Sequence, residues 1–269
     1  MNYSQITSVH NTRMKLIQHL REKKGRLREQ LFVVDALRDL IRAVQLGYQV
    51  EFTLVSPELA KSDIYTALQQ IDAKLIFEVP ADLLRKAGYR ENPEGVVAVF
   101  HAREKLTAAH LPTGLQRILI LDSLEKPGNV GALLRSADAS GFEAVILSDS
   151  ALDLFNPNII RASTGAVFLR NIFEISREET IAYCARQRIR VLGADPNAPV
   201  NLYDLDLTAS AIAVVLGKED VGLDPVWNEH ADYMVRIPML GQMVDSLNVS
   251  VSGALLMYEV LRQQRFLRA

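Results

Sequence analysis

Ala211-Ile-Ala-Val-Val-Leu216 is an unbroken apolar run, and Gly217-Lys-Glu-Asp-Val-Gly222-Leu223 follows it at once. Six apolar residues, three of them β-branched and none alternating with polar ones, read as a strand buried on both faces, the habit of parallel sheets. Working outward, Arg117–Leu121, Ala144–Leu147, Arg190–Gly193 and Tyr233–Ile237 read the same way. Helical periodicity falls between and after them, at Asn129–Ser140, Glu178–Gln187 and Asn248–Phe266. Strands that alternate with helices predict an α/β fold with a parallel sheet covered on both faces.

Upstream, Leu31–Val34, Phe52–Val55, Leu75–Val79 and Gly95–Phe100 read as further strands, and Ala36–Leu46, Ser62–Gln70 and Ala81–Ala87 as helices. Thr12–Glu29 is expected to be one helix, with Met14, Ile17, Leu20 and Leu27 on its buried face. These elements make a small α/β unit over residues 1–105. The Pro-bearing stretch at residues 106–113, where the periodic pattern lapses before Gly114, reads as a linker, and residues 114–269 form the second domain. A length of 269 residues suits two domains.

Composition excludes several classes. With 49% hydrophobic and 23% charged residues, the chain is neither disordered nor fibrous. No stretch approaches the roughly 18 apolar residues of a membrane helix, and the first residues carry no basic-then-apolar signal, so a soluble, cytoplasmic protein without membrane contact is expected. The single cysteine, Cys184, allows no internal disulfide and no zinc cage, and the five histidines are scattered. No metal is expected. The net charge of -2 conceals an asymmetry: residues 1–105 carry 16 Lys and Arg against 13 Asp and Glu, leaving -5 for the remainder. Arg13, Lys15, Arg21, Lys23, Lys24, Arg26 and Arg28 stand against only Glu22 and Glu29 in the first 30 residues, a footprint suited to phosphate.

Ligands of open parallel sheets bind beyond the carboxyl ends of the strands. Three loops there, Asp122–Arg135, Gly217–Leu223 and Pro238–Asn248, are rich in Gly, Asn or acidic residues and lead towards helices, so their backbone N–H groups could converge on one ligand. The dinucleotide and P-loop fingerprints, H-E-x-x-H and G-x-S-x-G are all missing, which weakens nicotinamide oxidoreductase, nucleotide-triphosphate, zinc-protease and α/β-hydrolase chemistry.

Read together, Asn129-Val-Gly131-Ala-Leu-Leu-Arg135, Leu216-Gly217-Lys-Glu219-Asp-Val-Gly222-Leu223 and Ile237-Pro238-Met239-Leu-Gly241-Gln-Met-Val-Asp-Ser246-Leu247-Asn248-Val-Ser250 resemble the three signature motifs of the SpoU (TrmH) family of RNA ribose methyltransferases, within the SPOUT superfamily. Asn156-Pro-Asn-Ile-Ile-Arg161-Ala-Ser163-Thr-Gly165 is similar to the segment that this family carries between its first two motifs. Ile6-Thr-Ser-Val-His-Asn-Thr-Arg13-Met-Lys15 and the basic helix after it resemble, more loosely, the RNA-binding domain that precedes many members.

The resemblance implies a C-terminal parallel-sheet domain tied in a deep trefoil knot, with S-adenosylmethionine (SAM) as the methyl donor and no metal. It implies that Leu216, Gly217, Ile237, Met239 and Leu247 hold SAM, that Arg135 is the central catalytic residue, and that Asn129, Glu219, Ser246 and Asn248 serve it with hydrogen bonds. Arg13, Lys15, Lys23, Lys24, Arg26, Arg28 and Arg161 would contact RNA. A guanidinium is too weak an acid to give up its proton readily, so Arg135 is better read as a fork on a phosphate than as a base. The resemblance also implies a homodimer, to which the apolar terminal helix is suited. Ribosomal RNA, of the large subunit, is favoured as the substrate; a tRNA methyltransferase and a non-catalytic RNA-binding or assembly protein are the alternatives.

Overall fold

Two sheets organise the computed structural model, which describes residues 3–91, 93–208 and 211–266. Residues 1, 2 and 267–269, the outer ends of the two expected domains, lie outside the described residues. One compact unit holds the chain up to Glu104 together with Asp153–Leu169; the other holds Lys105–Leu152 and the chain from Arg170 onward.

The first unit contains β1 (Ser4–Gln5), α1 (Thr12–His19), α2 (Lys23–Glu29), β2 (Leu31–Val34), α3 (Leu37–Gln45), β3 (Val50–Val55), α4 (Ser62–Leu68), β4 (Ile76–Glu78), α5 (Ala81–Ala87) and β5 (Val96–His101). Its sheet runs β1-β4-β3-β5-β2, with β5 antiparallel to both neighbours. Met14, Ile17 and Leu20 pack on Phe52, Leu54, Leu84, Val97 and Val99 in its core.

The stretch expected as one helix is two. The Asn11 side chain caps α1 by accepting from the Arg13 N–H, and the His19 carbonyl lies where a Cβ on residue 25 would stand, so only glycine fits. After this turn α2 buries Gly25 and Arg26 and leaves Leu27 44% exposed, which corrects the expected apolar face. Asp153–Leu169 completes this unit with the helix Pro157–Ser163 and the 3-10 turn Ala166–Phe168. The Phe155 ring stacks on Phe32 with centroids 4.1 Å apart, and Tyr48 meets Phe168 edge-on at 5.4 Å. Aromatic pairs of this kind add to the stabilisation that area burial gives.

The second unit contains β6 (Arg117–Asp122), α6 (Pro127–Ala139) and β7 (Ala144–Ser148); after the helix just described, α7, come β8 (Ile172–Ile175), α8 (Arg177–Gln187), β9 (Arg190–Ala194), β10 (Val200–Asn201), β11 (Ile212–Leu216), α9 (Trp227–His230), β12 (Tyr233–Arg236) and α10 (Val249–Phe266). Its sheet runs β10-β12-β9-β11-β6-β7-β8, with every pairing parallel. The stretch at 106–113 expected as a linker carries a bridge from Leu106 to Phe173, the 3-10 turn Ala108–His110, and the Pro112 carbonyl that accepts from the Tyr183 hydroxyl at 2.6 Å.

Because β11 lies beside β6 in parallel register, with Leu216 opposite Leu121, the loops that leave these two strands emerge side by side. Helix α10 comes close to both elements at Gly253, where a Cβ would collide with Leu133 of α6 and Leu216 of β11. Glycine at that point is what lets the last helix close over the first and second loops. Among the described residues no helix is long and apolar enough to cross a membrane.

Candidate functional site

Asn129, on the first turn of α6, donates through Nδ2 to Glu219 Oε1 at 2.6 Å and accepts through Oδ1 from Asn248 Nδ2 at 3.2 Å. These residues come from the loops after β6, after β11 and before α10, so one amide joins all three. Asn248 also ends its own helix: its Oδ1 accepts from the Ser250 backbone N–H at 2.9 Å and from the Ser250 hydroxyl at 2.6 Å. Capping and site-building are therefore one arrangement. Asn129 and Glu219 are half-buried and Asn248 is exposed, so the chain of hydrogen bonds opens to solvent.

The second loop is tight. A Cβ on Gly217 would collide with the Gly222 carbonyl, Gly222 has a φ of 75°, and its N–H closes the turn on the Lys218 carbonyl at 3.0 Å. Both positions demand glycine, the first for space and the second for its left-handed backbone. Lys218 Nζ lies 2.7 Å from Glu125 Oε1, a second tie between the first and second loops, and this hydrogen bond holds the ammonium above its ordinary pKa.

Arg135 is exposed on the third turn of α6 and, among the described residues, forms no ion pair. Gly217 is buried at the end of β11; Ile237, Met239 and Leu247 are half-buried in the stretch between β12 and α10. Leu216 is buried, with its side chain against Gly253 of α10. Ser246 is exposed, and Leu240 and Met243 beside it are 97% and 93% exposed. Among the described residues no group of three or more His, Cys, Asp or Glu could hold a metal ion.

In the first unit, Lys15, Lys23, Lys24 and Arg28 are exposed on α1 and α2, as expected of a cationic face, and Arg161 is exposed on α7. Arg13 is half-buried, its guanidinium 3.9 Å from the centre of the Phe77 ring. Arg26 does not belong with them. It is 5% exposed, its Nε donates to Asp153 Oδ2 at 2.6 Å, and its Nη1 donates to the carbonyls of Leu20 and Arg21. A guanidinium so enclosed cannot meet a phosphate: the break between α1 and α2 carries it inward.

Sequence reading passed over Asp122, Arg177 and Trp227, which gather at the base of the same loops. One signal was available: Arg177 opens a helix, where the positive end of the dipole disfavours a cation, so nearby acids had to be sought.

A parallel sheet whose carboxyl-end loops meet in one hydrogen-bonded cluster, accompanied by a unit with an exposed cationic face, defines an α/β ligand-binding protein with a second domain for a polyanion. The chain belongs to the SpoU rRNA methylase family, whose model matches residues 116–258, and residues 11–98 match the MRM3-like substrate-binding domain. It is 28% identical to the 23S rRNA (guanosine(2553)-2'-O)-methyltransferase RlmP of Bacillus subtilis over 95% of this chain and 98% of that protein. Among solved structures, an RNA 2'-O ribose methyltransferase superimposes with a TM-score of 0.86 at 37% identity, covering 96% of this chain and 98% of the other. The SpoU methyltransferase AviRb of Streptomyces viridochromogenes, in complex with the cofactor AdoMet, gives 0.82 at 28% identity, covering 94% and 98%.

Proposed function

We propose that this protein is a SAM-dependent methyltransferase that modifies a ribose 2'-hydroxyl of large-subunit ribosomal RNA, with residues 1–105 as the RNA substrate-binding domain, which Asp153–Leu169 completes, and the rest of residues 114–269 as the knotted methyltransferase domain. The observation that carries the reading is the junction Asn248–Asn129–Glu219, which joins three loops at the start of the helix that bears Arg135. SAM supplies an electrophilic sulfonium methyl. Gly217, Ile237, Met239 and Leu247 bring no charged side chain to it, so backbone groups and apolar contact hold the donor, a set that fits a purine ring.

What remains for the protein is alignment of the hydroxyl with the methyl group and help with the departing proton. Arg135 grips the phosphate of the target nucleotide with its fork. Glu219 keeps one carboxylate oxygen on Asn129 and has the other for the ribose hydroxyl. Methylation through a pyrimidine carbon would need a cysteine thiolate, and burial, with Asp232 nearby, pushes the Cys184 thiol up to about 12.

The protein acts in the cytoplasm as a homodimer. Val251, Leu255 and Tyr258, at helical spacing on α10, are 46%, 38% and 49% exposed, an apolar stripe that a second copy would cover. The experiment is methyl transfer from labelled SAM to ribosomal RNA, followed by mapping and by an RNA with a single 2'-deoxy nucleotide at the mapped position. Loss of transfer to the deoxy RNA is expected. Transfer that persists there would place the methyl on the base and overturn the reading.

A further inference from the structure

Arg177 is the hub of a network that the catalytic description leaves out. Its Nε donates to Asp122 Oδ1 at 3.0 Å, its Nη2 donates to Ser123 Oγ at 3.2 Å, and its Nη1 lies 3.0 Å from Asp224 Oδ2 and 3.5 Å from Asp149 Oδ2. Its backbone N–H also donates to Asp149 Oδ1 at 3.0 Å. From the other side, the fully buried Trp227 donates through Nε1 to Asp122 Oδ2 at 3.0 Å.

Each arm holds a different exit from the sheet. Asp122 and Ser123 begin the loop that leads to Asn129 and Arg135. Asp224 ends the loop that carries Glu219. Asp149 leaves β7. Ser123 and Asp149 have φ values of 55° and 45°, a left-handed backbone that a non-glycine residue adopts only where its surroundings hold it. The fork is what lets one side chain reach several acids at once.

We propose that Arg177 is a positioning residue for methyl transfer: by clamping Asp122, Ser123 and Asp224, it fixes the helix that bears Arg135 relative to the loop that bears Glu219. This rests on the methyltransferase reading. Of the donor-holding residues, Ile237, Met239 and Leu247 lie outside the clamp, and Gly217, on the clamped loop, sits in a turn closed by the Gly222 N–H on the Lys218 carbonyl, so loss of the clamp misaligns the RNA with the methyl group and leaves donor binding nearly intact. A displacement of an ångström at a reacting centre costs on the order of 100-fold in rate.

The test uses the full chain as wild type, Arg177→Gln, Arg177→Lys and Asp224→Asn. Wild-type transfer is measured first, and its absence would count against the methyltransferase reading alone. With an active wild type, Arg177→Gln should lower kcat about 10-fold or more while the SAM dissociation constant, by calorimetry, stays within about 3-fold. Arg177→Lys should recover part of kcat, because an ammonium can still serve Asp122 but not the fork. Trp227 is the only tryptophan, so its emission reports the bond to Asp122 directly and should shift in Arg177→Gln. Asp224→Asn removes one arm at a partly exposed site, keeps the oxygen that accepts from the Val226 N–H, and should lower kcat about 3-fold with Tm unchanged. Wild-type kcat in a folded Arg177→Gln, or SAM affinity lost in proportion to kcat, would overturn the clamp. Should Arg177→Gln fail to fold, an unchanged kcat in Asp224→Asn would overturn it equally.

Discussion

The first unit presents a run of exposed cations on two neighbouring helices, whereas the second sets cations against acids at its site loops and on its last helix. Lys15, Lys23, Lys24 and Arg28 are exposed on α1 and α2. In the second unit Lys218 lies against Glu125, Arg177 against Asp122, Asp149 and Asp224, and Arg262 against Glu259. Net charge alone would divide the units into basic and acidic. Placement says more: the cations of α1 and α2 lie on an exposed face, and Lys218 and Arg177 tie the site loops of the second unit together. Two residues stand apart from these groups. Arg135 is an exposed cation in the second unit, and Arg26 is a buried, paired one in the first.

Those two exceptions give the largest expected effects. Arg135→Ala should reduce methyl transfer by at least about 100-fold while SAM affinity stays within a few-fold, because the guanidinium meets RNA and not the donor. Calorimetry that finds no SAM binding in the folded variant would return Arg135 to the cofactor site. Arg26→Ala should cost about 3–5 kcal/mol in denaturant unfolding, since it strands Asp153, 8% exposed, as a buried charge without its partner. A loss below about 1 kcal/mol would show that Arg26 behaves like the exposed cations around it.

The same pair explains what sequence reading could and could not reach. Strands of the second sheet were legible because each is a continuous apolar run, and the site loops because Gly and Asn stand after those runs. Arg26 was misread because helical periodicity from Thr12 to Glu29 ignores the one position where a Cβ would strike the His19 carbonyl. With the helix broken at residues 20–22, before that glycine, α2 buries Arg26 and leaves Leu27 exposed. Asp153–Leu169 was invisible as part of the first unit for a different reason. Its partners Phe32, Tyr48 and Arg26 are over 100 residues away, and no local pattern encodes a contact at that separation.

That segment sharpens the comparison further. A fragment beginning at Gly114 would carry Phe155, Ile159, Ile160 and Phe168 without the first-unit residues that cover them. Such a fragment should be less soluble and melt lower than the full chain, and Phe155→Ser with Phe168→Ser should improve its solubility. A fragment as soluble as the full chain without these changes would mean that the segment finds cover elsewhere. For the exposed cations, reversing Lys15, Lys23, Lys24 and Arg28 to glutamate should weaken RNA binding and flatten its salt dependence, with Tm nearly unchanged because surface substitutions rarely move stability. An unchanged slope would remove α1 and α2 from the RNA-binding surface.

The smallest effect concerns Lys218, whose side chain is 37% exposed and whose partner Glu125 is 71% exposed. Glu125→Gln removes the carboxylate that holds the ammonium above its ordinary pKa. A raised lysine pKa favours the folded state below the unfolded value of about 10.5 and loses that benefit only as pH climbs past the folded value, so the pair contributes across neutral pH. At such exposure the contribution is screened, and the variant should melt with the wild type at pH 7. The consequence to measure is in RNA binding. Lys218 adjoins Glu219, so a freed ammonium at the mouth of the site can take a phosphate, and each new phosphate contact steepens the slope of log K against log salt by about 0.7 to 0.9. Glu125→Gln should show that steeper slope, and Glu125→Gln with Lys218→Gln should lose it. If the single variant keeps the wild-type slope, Lys218 stays with its loop even when its acid is removed, and the loop backbone, not the pairing, keeps it from RNA.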